Sequence, residues 1–142
     1  MIRLANEKDI DLIVHYENKT FNSVTRSDFV NHYFNNPLYQ IYMIEDNKVV
    51  IGYMVIWLDL DKSQIYTIYI LENYRQLGHG YQALVDLEKI LVKQGVHTWS
   101  LEVRPSNQKA IHLYQKLGFQ TQLIRQDYYS NHEDAFLMIK KI

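Results

Sequence analysis

The chain contains no cysteine. That absence excludes disulfides, thiolate metal sites and a cysteine nucleophile, so any acyl transfer is direct or uses another nucleophile. Proline occurs twice and glycine five times in 142 residues, so each one that does occur is informative punctuation. Neither sign of charge dominates: 15 Lys and Arg stand against 16 Asp and Glu, a net charge of -1. This leaves no basic footprint for nucleic acid or an anionic membrane. No apolar run approaches the ~18–20 residues that span a bilayer. The opening residues, Met1-Ile2-Arg3-Leu4-Ala5-Asn6-Glu7, lack the apolar stretch of a signal peptide. A cytoplasmic protein is the expectation. The six histidines form no H-x-H or H-x-x-x-H pair, so no metal site is expected.

The apolar fraction of 47% and charged fraction of 22% are those of an ordinary soluble globular protein. The length suits one domain over residues 1–142, with no linker, repeat or low-complexity segment. Twelve tyrosines are the compositional oddity; aromatic-lined clefts use them, and so do ordinary strands. Ile2-Arg3-Leu4 reads as a short strand. Asn6 with Asp9 is a helix-start signal, followed by Ile10, Ile13, Val14 and Glu17 at helical spacing. Ser27 is expected to cap a second short helix ended by Asn35-Asn36-Pro37. Strands are expected over 39–44 and 48–58, joined by a tight turn at Asp46-Asn47, and over 64–70 after a polar turn at 59–63. A long helix follows from Tyr81 and closes at Gly95. A strand over 97–103, a helix capped by Ser106 or Asn107 and stopped by Gly118, and strands over 119–129 and 135–140 complete the chain. The order β-α-α-β-β-β-α-β-α-β-β implies an α/β (α+β) fold with one mixed, mostly antiparallel sheet and helices on both faces.

Between the strand 64–70 and the long helix stands Arg75-Gln76-Leu77-Gly78-His79-Gly80. A strand, a short glycine-containing turn and a helix make an anion cradle. The first helical N–H groups lack partners, and the helix dipole adds about half a positive charge there. Gly78 and Gly80 remove side chains that would hold a phosphate away from those amides. The turn therefore reads as the pyrophosphate site of a nucleotide-containing cofactor. The dinucleotide fingerprint G-x-G-x-x-G is absent, and no Gly-Lys-Ser/Thr closes a Walker loop.

The motif resembles the R/Q-x-x-G-x-G/A signature of the GNAT acetyltransferases, and the element order resembles their fold from end to end. Leu101-Glu102-Val103-Arg104-Pro105-Ser106-Asn107, followed by Ala110-Ile111-His112-Leu113-Tyr114-Gln115-Lys116-Leu117-Gly118-Phe119, resembles the RimI type, the ribosomal-protein-alanine N-acetyltransferases. Arg125-Gln126-Asp127-Tyr128-Tyr129 and Glu133-Asp134-Ala135 extend the resemblance. It implies acetyl-CoA as co-substrate and no metal. The main chain of Ile68, Tyr69 and Ile70 would contact pantetheine and the substrate's amine end. A backbone N–H near Ile70 would meet the oxyanion. Gln76, Leu77, Gly78, His79, Gly80 and Tyr81 would wrap the pyrophosphate, and Asn107 would hydrogen-bond the pantetheine arm. Glu102 would be the general base and Tyr114 the general acid.

Those two roles suit the chemistry. An amine attacks a thioester only when neutral, which at pH 7 costs about 1.4 kcal/mol for an α-amine of pKa near 8 and about 4.5 for a lysine. A single carboxylate, acting directly or through a water, serves an N-terminus more easily. A tyrosine hydroxyl beside the departing sulfur can donate to it. Read without the resemblance, Glu102 is a strand glutamate of unknown facing, Tyr114 fits a core position, and Asn107 is a helix cap.

The chain also departs from the RimI pattern. Thr20-Phe21-Asn22-Ser23-Val24-Thr25-Arg26 holds no Pro-Trp-Ser/Thr segment, Tyr69 stands where a small residue is usual and is expected to narrow the groove, and His79 and Tyr81 replace aliphatic and basic residues. The implied acceptor is the α-amine of a protein or peptide, a ribosomal protein among the candidates. Two rivals stay open: a small amine such as a polyamine, amino acid or aminoglycoside, and a non-catalytic acyl-CoA-binding module. Monomer and homodimer are both compatible with the chain.

Overall fold

The computed structural model describes residues 1–20 and 24–142. The segment 20–26 thus falls partly outside the described residues. Strand β1 (Ile2–Leu4) leads through a 3₁₀ turn (Glu7–Asp9) into helix α1 (Ile10–Thr20). The capping box is present: Asn6 Oδ1 accepts from the Lys8 N–H at 2.9 Å, and Asp9 Oδ2 accepts from the Asn6 N–H at 2.8 Å. Helix α2 (Arg26–Phe29) widens into a π turn over Val30–Phe34. Its cap is Thr25, whose Oγ1 accepts from the Asp28 N–H at 3.0 Å. Thr25 has the extended backbone a cap requires. Ser27, the expected cap, already lies inside the first turn.

Strands β2 (Tyr39–Asp46), β3 (Val49–Asp59) and β4 (Lys62–Ile70) form a meander. The first hairpin turns at Asn47 and Lys48, both at positive φ, the geometry that matches strand twist in a two-residue loop. Asp46 stays in its strand opposite Val49. The second turn is also tighter than the polar stretch suggested, since Asp59 pairs with Lys62. Helix α3 (His79–Lys93) then crosses over to β5 (Thr98–Val103), and α4 (Gln108–Lys116) leads to β6 (Gln120–Arg125) and β7 (Ala135–Lys141). All elements follow the expected order.

The seven strands form one sheet in the order β1-β2-β3-β4-β5-β7-β6. Every pairing is antiparallel except β4 with β5, whose α3 crossover makes it parallel. One face buries Leu84, Leu87 and Leu91 of α3 with Ile111 and Tyr114 of α4. The other buries Ile10 and Ile13 of α1 with Phe29 of α2. Residues of β5 alternate accordingly: Trp99, Leu101 and Val103 are buried, while Ser100 and Glu102 take the other side. No helix among the described residues is long and apolar enough to cross a membrane.

One irregularity opens the sheet. The β4–β5 pairing ends at Ile65 opposite Leu101. Beyond it, β4 continues along β3 to Ile70 while β5 continues along β7 to Val103, so the sheet opens into a wedge. The divergence begins at a bulge: Ile65 faces Ile56 and Thr67 faces Val55, leaving Tyr66 as the extra residue on β4. An extra residue bends its strand away from its partner. Behind β4, Gly52 pairs with Ile70, and a Cβ at Gly52 would stand 2.1 Å from the Tyr69 carbonyl oxygen. Only glycine permits that approach.

Candidate active site

The turn after β4 has the geometry of an anion cradle. A 3₁₀ turn (Glu72–Tyr74) is followed by Gln76 and Gly78, both at positive φ, and α3 starts at His79. No side chain among the described residues caps this helix and its first turn holds no acid, so its leading N–H groups stay available to an anion. Gly80 is not required by packing, because a Cβ there would meet only Leu113 Cδ2, at 3.8 Å. What its missing side chain preserves is open space above the helix end. Ile70, Gln76, Gly78, Gly80 and Tyr81 line a cavity of about 280 Å³ together with Arg75 and Lys109. Leu77 and His79 do not line it. Arg75 is tied into the rim, its Nε donating to the Ile70 carbonyl at 2.8 Å. Lys116 Nζ lies 4.6 Å from the Tyr81 ring centre, so α4 sets a cation beside the position where the RimI type carries one. Lys109 was not singled out from sequence; its place on the cavity depends on how α4 packs.

The wedge itself is a second cavity, about 260 Å³, and it contains both candidate catalytic side chains. Tyr66, Thr67 and Ile68 of β4 form one wall and Glu102 with Val103 of β5 the other; Asn107, Tyr114 and Tyr129 close it. Asn107 also caps α4, its Oδ1 accepting from the Ala110 N–H at 3.3 Å. Tyr114 is buried at 7% exposure, and that burial, with Tyr129 adding to it, pushes its hydroxyl up to about 12. It therefore keeps its proton throughout the neutral range.

Glu102 enters from the opposite face. Its Oε1 accepts from Gln64 Nε2 at 3.0 Å and from the Tyr128 hydroxyl at 3.4 Å. Among the described residues nothing donates a hydrogen bond to its Oε2, although Arg125 Nε lies 3.2 Å away as an ion-pair contact. The carboxylate is thus held in place with lone pairs to spare. It also borders a third cavity, about 300 Å³, with Gln64, Tyr66, Tyr128 and Tyr129. Gln64 is a partner that sequence reasoning missed, because the parallel register bringing β4 beside β5 cannot be read from either strand alone. The Tyr69 ring stacks on Tyr53 at 5.7 Å and lies 5.0 Å from Tyr16, packed against the α1 face, and it lines none of these three cavities. No group of three metal-ligating side chains occurs among the described residues.

Comparison with known proteins agrees with this geometry. Residues 10–119 match the profile of the Acetyltransferase (GNAT) family. A Bacillus subtilis protein, provisionally named [ribosomal protein bS18]-alanine N-acetyltransferase, is 34% identical over 139 residues, covering 96% of this chain and 92% of that one. The [ribosomal protein bS18]-alanine N-acetyltransferase of Escherichia coli K12 is 35% identical over 103 residues, 70% of each chain. A crystal structure of the ribosomal-protein-S18-alanine N-acetyltransferase from Escherichia coli superposes with a TM-score of 0.87 at 29% identity, covering 100% of this chain and 93% of that one. The open wedge, the uncapped helix above it and these relatives lead to one conclusion: the chain belongs to the GNAT family and is an acetyl-CoA-dependent N-acetyltransferase resembling the RimI type.

Proposed function

We propose that the chain passes an acetyl group from acetyl-CoA directly to the N-terminal α-amine of a protein, acting in the cytoplasm, with the N-terminus of ribosomal protein bS18 as the first acceptor to test. The observation that carries this reading is that Glu102 and Tyr114 line one cavity while belonging to opposite faces of the sheet. Direct transfer needs that arrangement, since amine and thioester approach from different sides and meet where β4 and β5 part.

Each residue then has a physical task. The α3 N-terminus, Arg75 and Lys109 hold the pyrophosphate, and the β4 edge through Ile70 receives the pantetheine arm together with Asn107. Glu102, fixed by Gln64 and Tyr128, takes the proton that the ammonium must lose before it can attack. Tyr114 donates a hydrogen bond to the sulfur as the tetrahedral intermediate collapses. Its hydroxyl near 12 against about 8.5 for a thiol makes complete proton transfer uphill by roughly 5 kcal/mol. Tyr114 therefore acts mainly by stabilising the thiolate in place; the nitrogen gives up its second proton to solvent as the amide forms, and the thiolate takes a proton from solvent.

The peptide acceptor is supported by the relatives' substrate and by the openness of the acceptor side. Tyr128 is 51% exposed and with Tyr129 floors a groove next to Glu102, whereas a small-amine enzyme calls for an enclosed pocket. The test is a CoA-release assay on peptides with free or acetyl-blocked N-termini, run beside a panel of polyamines and amino acids. Turnover of free peptides alone is expected. Turnover confined to small amines would overturn the acceptor, and CoA binding without any turnover would overturn the enzyme.

A further inference from the structure

The acceptor side carries a carboxylate that this chemistry does not use. Glu17, in the last turn of α1, lines a cavity of about 300 Å³ with Val24, Phe29, Tyr33, Val55, Tyr66 and Thr67. Among the described residues its side chain has one hydrogen-bond partner, the Tyr53 hydroxyl, which donates to Oε1 at 2.8 Å. Among the described residues no Arg, Lys or His lies within ion-pair distance of it. Other sheltered carboxylates are treated differently. Asp9 and Glu45 share Arg3, Glu88 meets Lys140, and Glu102 meets Arg125.

A half-buried carboxylate without a cation is costly, because desolvation is not offset by a partner. Burial indeed raises the Glu17 carboxyl above its ordinary range, with the Tyr53 bond opposing. Around it stand the rings of Tyr33, Tyr66 and Phe29. Negative charge within aromatic walls is the chemistry that receives an ammonium or a guanidinium. The position is equally telling. Tyr66 and Thr67 line both this cavity and the wedge, and Tyr66 also lines the groove beside Glu102. A chain whose amine reaches Glu102 has its next residues alongside Tyr66.

We propose that this cavity is a specificity subsite for a lysine or arginine side chain at the second or third residue of the acceptor peptide, with Glu17 as its counter-ion. The proposal rests on the peptide reading above and names a feature of that same acceptor. Tyr66 is then the partition between the two acceptor sites, pushed into that place by the bulge in β4.

The test uses peptides that share one N-terminal residue and carry Arg, Lys, norleucine or Glu at the second or the third position. In the wild-type chain, kcat/KM for the Lys or Arg peptide is expected to exceed that for norleucine by about tenfold or more at one position, the range of a charge-assisted hydrogen bond, with Glu the poorest. In Glu17→Gln, which keeps an acceptor for the Tyr53 hydroxyl, the ratio of Lys to norleucine is expected to fall to about one. Each ratio is taken within one preparation, so loss of folded enzyme cancels. Equal rates for Lys and norleucine in the wild type at both positions would overturn the proposal, as would a preference that survives Glu17→Gln. Failure to acetylate any peptide, norleucine included, would instead count against the peptide reading itself.

Discussion

The two sides of the wedge are built on different plans. On the proposed cofactor side the decisive parts are main chain: an uncapped helix start, a turn at positive φ, and a glycine with open space above it. On the proposed acceptor side they are side chains from separate segments, with Glu17 on α1, Gln64 and Tyr66 on β4, Glu102 on β5, and Arg125 with Tyr128 at the far end of the chain. A main-chain cradle asks only that certain side chains be missing, so six consecutive residues suffice to specify it. A side-chain site acquires meaning only once strand register and helix packing are known.

If that contrast is right, the two sides can be damaged independently. The largest effect is expected from Gly80→Glu, which places bulk and negative charge over the helix start. CoA affinity measured by calorimetry should fall by at least about 100-fold, with little change in Tm because a Cβ at this position meets only Leu113. Retained affinity would mean the phosphates bind elsewhere. Tyr114→Phe sits at the junction: kcat should drop by about 100-fold while the Kd for CoA moves less than about threefold. Parallel losses would reduce Tyr114 to a packing residue. With its hydroxyl near 12, Tyr114 also contributes no alkaline limb to kcat below about pH 10.

On the acceptor side, Glu102→Gln is expected to lower kcat/KM for a peptide by about 100-fold at pH 7. That deficit should shrink as pH rises past about 8, where an α-amine is already neutral without a base. A deficit constant to pH 9.5 would remove Glu102 from the proton path. The smallest effect lies outside both sides. Asp9 accepts two bonds from Arg3, at 2.8 and 3.0 Å, and this partner holds its carboxyl below the usual 3.8. Asp9→Asn should cost about 1–2 kcal/mol of stability and leave both KM values unchanged. Because the folded value is depressed, the wild-type advantage is present above 3.8 and is lost as pH falls through the folded value. Chemical denaturation at several pH values checks this, and an advantage already gone at pH 5 would contradict it.

The same contrast explains what could be read from the residues. Element order was legible because each segment carries its own period and punctuation, from the Asn6 and Asp9 cap to Gly95 and Gly118 at helix ends, both at positive φ. Thr25 and Ser27 are chemically equivalent caps two residues apart, and only the backbone path from α1 decides between them. The π turn at 30–34 left no trace, since Phe29, Val30, Tyr33 and Phe34 suit either helix. Nor did the bulge: Gln64 to Ile70 looks like an ordinary strand, yet one unpaired residue, Tyr66, opens the sheet. Glu102 and Tyr114 were found through resemblance to a family. Their facing across the wedge, and the partners Gln64 and Arg125, depended on register. Glu17 was visible only as a residue at helical spacing, because neither its burial nor the missing cation can be read from a helix by itself.

Gly52 gives the opening a stop set from behind. Any side chain there would have to displace the Tyr69 carbonyl by roughly an ångström, since real Cβ atoms do not come within 3.0 Å of a neighbour and this one would start at 2.1 Å. The rim of β4 would move with it, although residue 52 lines none of the three cavities that meet at Tyr66. One hydrogen atom on the neighbouring strand thereby acts as a shim, and the aperture proposed as the meeting place of thioester and amine is adjustable by a substitution that touches neither of them.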